Sequence, residues 1–284
     1  MKILVTGAGG MVGRALVKHC EGRGDEVRPF DRAALDIADE RAVSETIGRE
    51  RPEAVVNCAA WTDVDGCEDD PARAHAANAL GPEHLAAACR RAGAVLVTIS
   101  TDYVFDGRKS GFYTQRDEPN PQSVYGRAKL EGERRAQSAC ARSIVVRTGW
   151  IFGEGGKSFL SRVVETGRRG ERLKAIQDAW GTPTYADDLA ARLRRLAELD
   201  LPGVYHVANA GDGTSYYEFT RAALGAAGGD VSLIEGVSVD SLSRPAPRPR
   251  NSRLRCLLSE AVGLPPLPDW REALARFVAV GARE

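Results

Sequence analysis

Ile3-Leu4-Val5-Thr6-Gly7-Ala8-Gly9-Gly10-Met11-Val12-Gly13 runs from a short apolar, β-favouring segment through a glycine turn into a helical pattern carried on by Leu16 and Val17. Strand, glycine turn and helix in that order make a phosphate-binding unit. Gly7 and Gly10 let the backbone turn tightly and approach a pyrophosphate, and Gly13 lets the helix pack closely on the strand. The N-terminus of the helix that follows supplies free N–H groups and a positive dipole end for the phosphates. Glycines alone would also fit a structural turn, and it is the flanking strand and helix that favour nucleotide binding.

The same alternation continues downstream. A second strand, Glu26–Phe30, ends at Asp31, about 20 residues past the glycines, where an acid that binds ribose is expected. Arg32 follows at once. An acid suits the free 2′-hydroxyl of NAD and an arginine the 2′-phosphate of NADP, so NADPH and NADH both stay open. Asp31 also suits a turn or a helix cap. Asp36 and Ile37 precede a helix, and Ala54–Ala60 reads as a buried parallel strand whose small end admits a cofactor, followed by Trp61 and Thr62. An alanine-rich helical stretch from Pro71 to about Arg91 is interrupted at Gly81-Pro82, and Ala94–Ile99 forms a strand that ends in Ser100-Thr101-Asp102. The expected fold is α/β, a doubly wound parallel sheet of Rossmann type. Ligands of such sheets lie beyond the carboxyl ends of the strands, where the glycine turn, Asp31, Ala60 and Thr101 fall.

Tyr103–Ser123 reads as a long loop, with Pro121 placed to open a helix bearing Tyr125-Gly126-Arg127-Ala128-Lys129. Tyr125 and Lys129 lie one turn apart on one face. An ammonium near the phenol favours phenolate, and would lower the tyrosine from its reference near 10 and make it a general acid. The spacing also occurs in ordinary amphipathic helices. A strand through Ile144–Arg147 leads to Trp150, either an apolar wall for a sugar ring or core.

After Gly153 the rhythm weakens. The expected division is a dinucleotide-binding domain over 1–150 and a substrate-binding lobe over 151–284, with a segment near 203–209 returning to the main sheet. Helices are expected from about Lys157 to Arg169, from Asp187-Asp188 and from Asp269-Trp270. The arginine- and proline-rich stretch Arg244–Arg255, with Arg248 at its centre, suits either a diphosphate clamp or a solvated latch.

The 284 residues are 43% hydrophobic and 27% charged, with 39 basic and 39 acidic side chains. A formal charge of zero gives no sign of a nucleic-acid or membrane-surface partner, so a small-molecule substrate is expected. The N-terminus enters a strand without a charged leader and apolar core, and no apolar run approaches spanning length, so a cytoplasmic place is expected. Six scattered cysteines without Cys-x-x-Cys spacing point to free thiols rather than to zinc or disulfides.

Gly7-x-x-Gly10-x-x-Gly13, Ser100–Gly107, Tyr125-x-x-x-Lys129, Arg147-Thr148-Gly149-Trp150, Gly181–Thr184 and Arg248–Ser252 together resemble the extended short-chain dehydrogenase/reductases. Within them the chain is most similar to the dTDP-4-dehydrorhamnose reductases, over nearly its full length. The resemblance implies reduction of the 4-keto group of a dTDP-linked 4-keto-6-deoxysugar, with Thr101, Tyr125 and Lys129 as catalytic set. It also implies cofactor contacts at Gly10, Met11, Val12, Asp31, Asp36, Ile37, Ala60, Trp61, Thr62, Tyr125 and Lys129, and substrate contacts at Thr101, Asp102 and Trp150. Some relatives dimerise through magnesium held by glutamates, one of them at the position of Ala15, so a monomer or a homodimer without that metal is expected. A reductase or epimerase acting on another nucleotide sugar, and a non-catalytic nucleotide-binding regulator, remain alternatives.

Overall fold

Ile3, Leu4 and Val5 lie at the centre of β1 (Lys2–Thr6) and are fully buried, because both faces of this strand are covered. The computed structural model describes residues 1–280. It sets β1 in a parallel sheet with β2 (Glu26–Phe30), β3 (Ala54–Asn57), β4 (Val95–Thr101), β5 (Ser143–Thr148) and β6 (Gly203–His206), in the order β6-β5-β4-β3-β1-β2. The principal helices are α1 (Met11–Gly22), α2 (Glu40–Glu50), α3 (Gly81–Ala92), α4 (Val124–Ala139), α5 (Phe159–Arg168), α6 (Ala186–Leu199), α7 (Tyr216–Ala226) and α8 (Trp270–Val280).

Strand side chains alternate between two cores. Ile3, Val5, Val56, Val97, Ile144 and Val146 pack with Leu16 of α1 and Leu189, Leu193 and Leu196 of α6. Leu4, Val55 and Leu96 pack with Val43 and Ile47 of α2, Leu85 of α3 and Ala136 of α4. The two neighbours of β1 are β2 and β3, so successive connections leave it in opposite directions. That reversal opens a crevice at the carboxyl ends, the usual place for a ligand in such sheets.

A third core forms beyond Gly153. Phe152, Leu160, Val163, Phe219, Leu224, Trp270 and Leu274 bring α5, α7 and α8 together, and a parallel pair of strands, 173–176 with 234–237, lies beside them. The later chain does not all stay there. Besides β6 on the edge of the main sheet, α6 joins the first core, and Leu264 packs with it.

Three local expectations need correction. The helical stretch from Pro71 is not broken at Gly81-Pro82: it passes through a π turn at Ala76–Leu80, and Gly81 keeps right-handed helical angles. The wider turn accommodates the proline, whose missing N–H would otherwise leave a gap in a regular ladder. Pro121 does not open α4. Ser123, extended at φ −103°, caps it by accepting the Gly126 N–H at 3.1 Å, so the helix starts at Val124. Likewise Ser158 caps α5, which starts at Phe159 rather than Lys157.

Candidate active site

The crevice holds two compartments of about 520 Å³ each, which share Gly10, Cys58, Ala59 and Ala60. One runs over Gly7, Asp31, Arg32, Asp36, Ile37 and Trp61. The other is lined by Met11, Val12, Gly13, Thr62, Thr101, Asp102, Tyr125, Lys129 and Trp150.

Gly7 has φ +66°, and a Cβ there would lie 2.6 Å from the Ala59 backbone nitrogen. A Cβ on Gly13 would run into the Gly7 carbonyl. The turn is therefore drawn tight against the end of β3 and against its own helix. Gly10 begins α1 with no side-chain cap, which leaves the first N–H groups of the helix free for an anion. This cradle fits the pyrophosphate of a dinucleotide.

At the far end of the first compartment, one oxygen of Asp31 accepts the Ala34 N–H at 2.9 Å and one oxygen of Asp36 accepts the Ala38 N–H at 3.0 Å. The turn role open to Asp31 is thus realised beside the cleft, and Asp36 makes a similar turn there. The Arg32 guanidinium lies 3.6 Å from the second oxygen of Asp36. The loop through Ala60, Trp61 and Thr62 is fastened by Asn78, which accepts the Trp61 N–H and donates to its carbonyl, each at 2.9 Å. Asn78 is buried in the π turn, an irregularity often found at functional sites. Sequence reading passed over it, since a buried asparagine inside an alanine-rich helix was the only signal. Arg73 was also missed; its guanidinium stacks 4.3 Å from the Trp61 ring.

The second compartment brings the ends of β4 and α4 together. The Thr101 hydroxyl donates to Asp102 Oδ1 at 3.1 Å and accepts the Tyr103 N–H at 3.1 Å. Tyr125 meets the Tyr103 ring edge-on, with centroids 5.8 Å apart. Burial pushes the Tyr125 phenol above its ordinary pKa, and hydrogen bonding with Thr101 only partly opposes this. Lys129 Nζ donates to the Ile99 carbonyl at 2.6 Å, and burial lowers its pKa to about 8, against the pull of Glu133. The expected depression of the phenol by Lys129 is therefore corrected. The ammonium is turned towards the end of β4, and dehydration of the phenol dominates.

Asp102 is 3% exposed. Burial raises its carboxyl to about 6, and Oδ2 has no hydrogen-bond partner among the described residues. Trp150 adopts φ +51°, stacks on Tyr216 with centroids 3.8 Å apart, and donates from Nε1 to Ser252 Oγ at 3.2 Å. It is at once a wall of the cleft and a packed side chain. Tyr216, which shares that wall, gave no signal in sequence beyond being an aromatic.

Arg248 is held within the chain rather than solvated: its guanidinium pairs with both oxygens of Asp65, one at 2.7 Å, and Nη1 also donates to the Ala246 carbonyl. The same stretch is stitched to the long loop and the 177–184 turn: Tyr113 N–H donates to the Arg253 carbonyl and Trp180 N–H to the Arg250 carbonyl, both at 2.7 Å.

Fold and crevice define the class, a nucleotide-binding α/β protein of the extended short-chain dehydrogenase/reductase type. A family model described as the RmlD substrate binding domain matches residues 1–282. The chain is 40% identical to a dTDP-4-dehydrorhamnose reductase of Streptomyces griseus, over 95% of its own length and 91% of that protein's. It is 41% identical to that of Mycolicibacterium smegmatis, over 99% and 86%. The crystal structure of the Bacillus anthracis dTDP-4-dehydrorhamnose reductase in complex with NADP superposes with a TM-score of 0.94 at 32% identity, over 98% of each chain. The chain belongs to the dTDP-4-dehydrorhamnose reductase family.

Proposed function

We propose that this protein reduces the 4-keto group of a dTDP-4-dehydro-6-deoxyhexose, converting dTDP-4-dehydrorhamnose to dTDP-rhamnose with NADPH or NADH. The observation that carries the proposal is the convergence of Thr101, Tyr125 and Lys129 on the compartment that continues from the glycine turn.

Gly7, Gly10, Met11, Val12 and Gly13 would hold the pyrophosphate, while Asp31, Arg32, Asp36 and Ile37 would hold the adenosine end. Ala60, Trp61 and Thr62 would line the path between the two compartments. The bound nicotinamide supplies a hydride. Tyr125 supplies the proton that the carbonyl oxygen needs as it becomes an alkoxide. Its raised pKa keeps the phenol protonated until that charge develops, and an alkoxide is basic enough to take the proton. The Thr101 hydroxyl, which donates to Asp102 in the free protein, would turn to give the same oxygen a second hydrogen bond. Lys129 keeps a cation at the end of β4 and helps to hold the nicotinamide ribose. Asp102 and Trp150 face the sugar, and the lobe built largely from residues 151–284 closes over it. Ala15 offers no carboxylate, so no metal-bridged dimer enters the proposal.

The test is to incubate the protein with dTDP-4-dehydrorhamnose and each reduced nicotinamide, follow oxidation by absorbance, and identify the product by NMR. One nicotinamide oxidised per dTDP-rhamnose formed is the expected result. Sugar interconversion without net oxidation would instead identify an epimerase. No turnover on any dTDP- or UDP-linked 4-keto sugar would remove the enzymatic reading.

A further inference from the structure

We infer that a separate cavity beyond the carboxyl end of β6 binds a small organic oxyanion, a carboxylate or phosphate carried on an apolar body, with Arg192 as the partner of its charge. This site is independent of the reductase reading. The cavity measures about 230 Å³ and shares no lining residue with either compartment of the crevice. Arg192 of α6 lines it and is 8% exposed. Nη2 donates to the Pro265 carbonyl, and among the described residues the guanidinium has no other acceptor and no carboxylate partner. Its remaining nitrogens are not sealed from solvent. Burial disfavours the charge, and the group that opposes this is only a thiol, that of Cys256.

The buried Arg147 differs, since Glu133 pairs with it at 2.7 Å. On α6 itself Asp188 stands one turn before Arg192, at the spacing of a helical ion pair. Both of its oxygens are taken, by Arg276 at 2.9 and 2.7 Å and by Asn209 at 2.7 Å. A guanidinium withdrawn from water needs an anion to offset its lost hydration. A carboxylate or phosphate supplies one, with bidentate, charge-assisted bonds. The rest of the lining suits such a ligand. Val207, Leu254, Leu264 and Leu267 offer apolar walls to its body. Arg255 adds a second guanidinium, which lies 4.4 Å from the Phe112 ring and has no ion pair among the described residues. Glu260 is the one carboxylate on the lining; it is exposed and pairs with neither arginine, so positive charge is in excess.

The experiment is calorimetric titration of the full-length protein with phenyl phosphate and with benzoate, using benzyl alcohol as the neutral counterpart and inorganic phosphate as the bare ion. Saturable binding of at least one organic anion is expected, with weaker binding of inorganic phosphate and none of benzyl alcohol; the preferred anion identifies the head group. Arg192→Met is expected to weaken that binding by about tenfold or more, the scale of a lost charged hydrogen bond. Because it removes a buried charge without a partner, its thermal midpoint without anion should equal or exceed that of wild type. The anion should raise the midpoint of wild type and not of the variant. Arg255→Ala, at an exposed position, should weaken binding by about two- to fivefold and supplies the readout if Arg192→Met fails to fold. No saturable binding of either organic anion, binding that the substitutions leave unchanged, or an equal response to benzyl alcohol overturns the inference, whatever the protein does with nicotinamides. Inorganic phosphate bound as tightly as phenyl phosphate overturns the organic body.

Discussion

Lys129 Nζ donates to the carbonyl of Ile99 at 2.6 Å, from a helix into the last residues of the neighbouring strand. Burial lowers this ammonium to about 8. It is charged below that pH and neutral above. Because kcat/KM reports the free enzyme, it should fall as pH rises through about 8, and Lys129→Met should be slow without that alkaline limb. A pH profile of wild-type activity that stays level up to the ordinary lysine value of about 10.4 would remove Lys129 from the proposed role.

Tyr125→Phe should lower kcat by about 100- to 10,000-fold, the range for losing a positioned general acid. Only one hydroxyl is removed from a packed ring, so the thermal midpoint and NADPH affinity should stay near wild type. Undiminished turnover in the folded variant would assign the proton to another donor.

Asn78→Ala leaves the Trp61 N–H and carbonyl without the partners they now have at 2.9 Å. Unsatisfied polar groups of this kind cost about 1–3 kcal/mol. Denaturant unfolding should show that loss, and NADH and NADPH affinities should fall together because both depend on the Trp61 loop. An effect on one cofactor alone would contradict this account.

His206 is 3% exposed, and its Nδ1–H donates to the Tyr113 and Arg255 carbonyls at 3.2 and 3.1 Å. Burial, aided by Arg147, lowers its pKa to about 4 from an ordinary 6.5. Between those values the unfolded chain takes up a proton that the folded one refuses, so stability should fall as pH drops from 6.5 towards 4, by about 3 kcal/mol in all. Above 6.5 the residue contributes nothing to the pH dependence. Unfolding titrations of His206→Gln should show a shallower decline in that window. Parallel curves for variant and wild type would reject the assignment.

Glu133 of α4 and Arg147 of β5 form an ion pair at 2.7 Å, with side chains 3% and 8% exposed, and the Ser100 hydroxyl also donates to Glu133. Removing one partner strands a buried charge. Arg147→Met should therefore destabilise the fold by about 3–5 kcal/mol, and adding Glu133→Leu should recover much of it. A double variant no more stable than the single one would show that the pair matters for more than charge balance.

Local pattern made much of this molecule legible. The passage from Ile3-Leu4-Val5 through Gly7 and Gly13 to Leu16 specified strand, tight turn and helix, and the buried runs at Ala54–Asn57 and Ala94–Ile99 specified parallel strands. Tyr125 and Lys129 had to share a helix face, because their separation is one turn. The chain alone, then, determined the Rossmann-type sheet, its tight glycine turn and the shared helix face of Tyr125 and Lys129, since each strand, turn and helix face follows from periodicity or backbone freedom over a short stretch.

Tertiary structure decided which partner each group meets. It turned Lys129 to Ile99 rather than to the phenol, gave Arg248 to Asp65 across 183 positions, and set Asn78 against Trp61. It also decided the sign of the Tyr125 shift, through burial that no spacing rule measures. Hydrophobic periodicity says which face of an element is covered. Hydrogen-bond partners and dehydration depend on what covers it, and that is known only once distant parts of the chain have packed together.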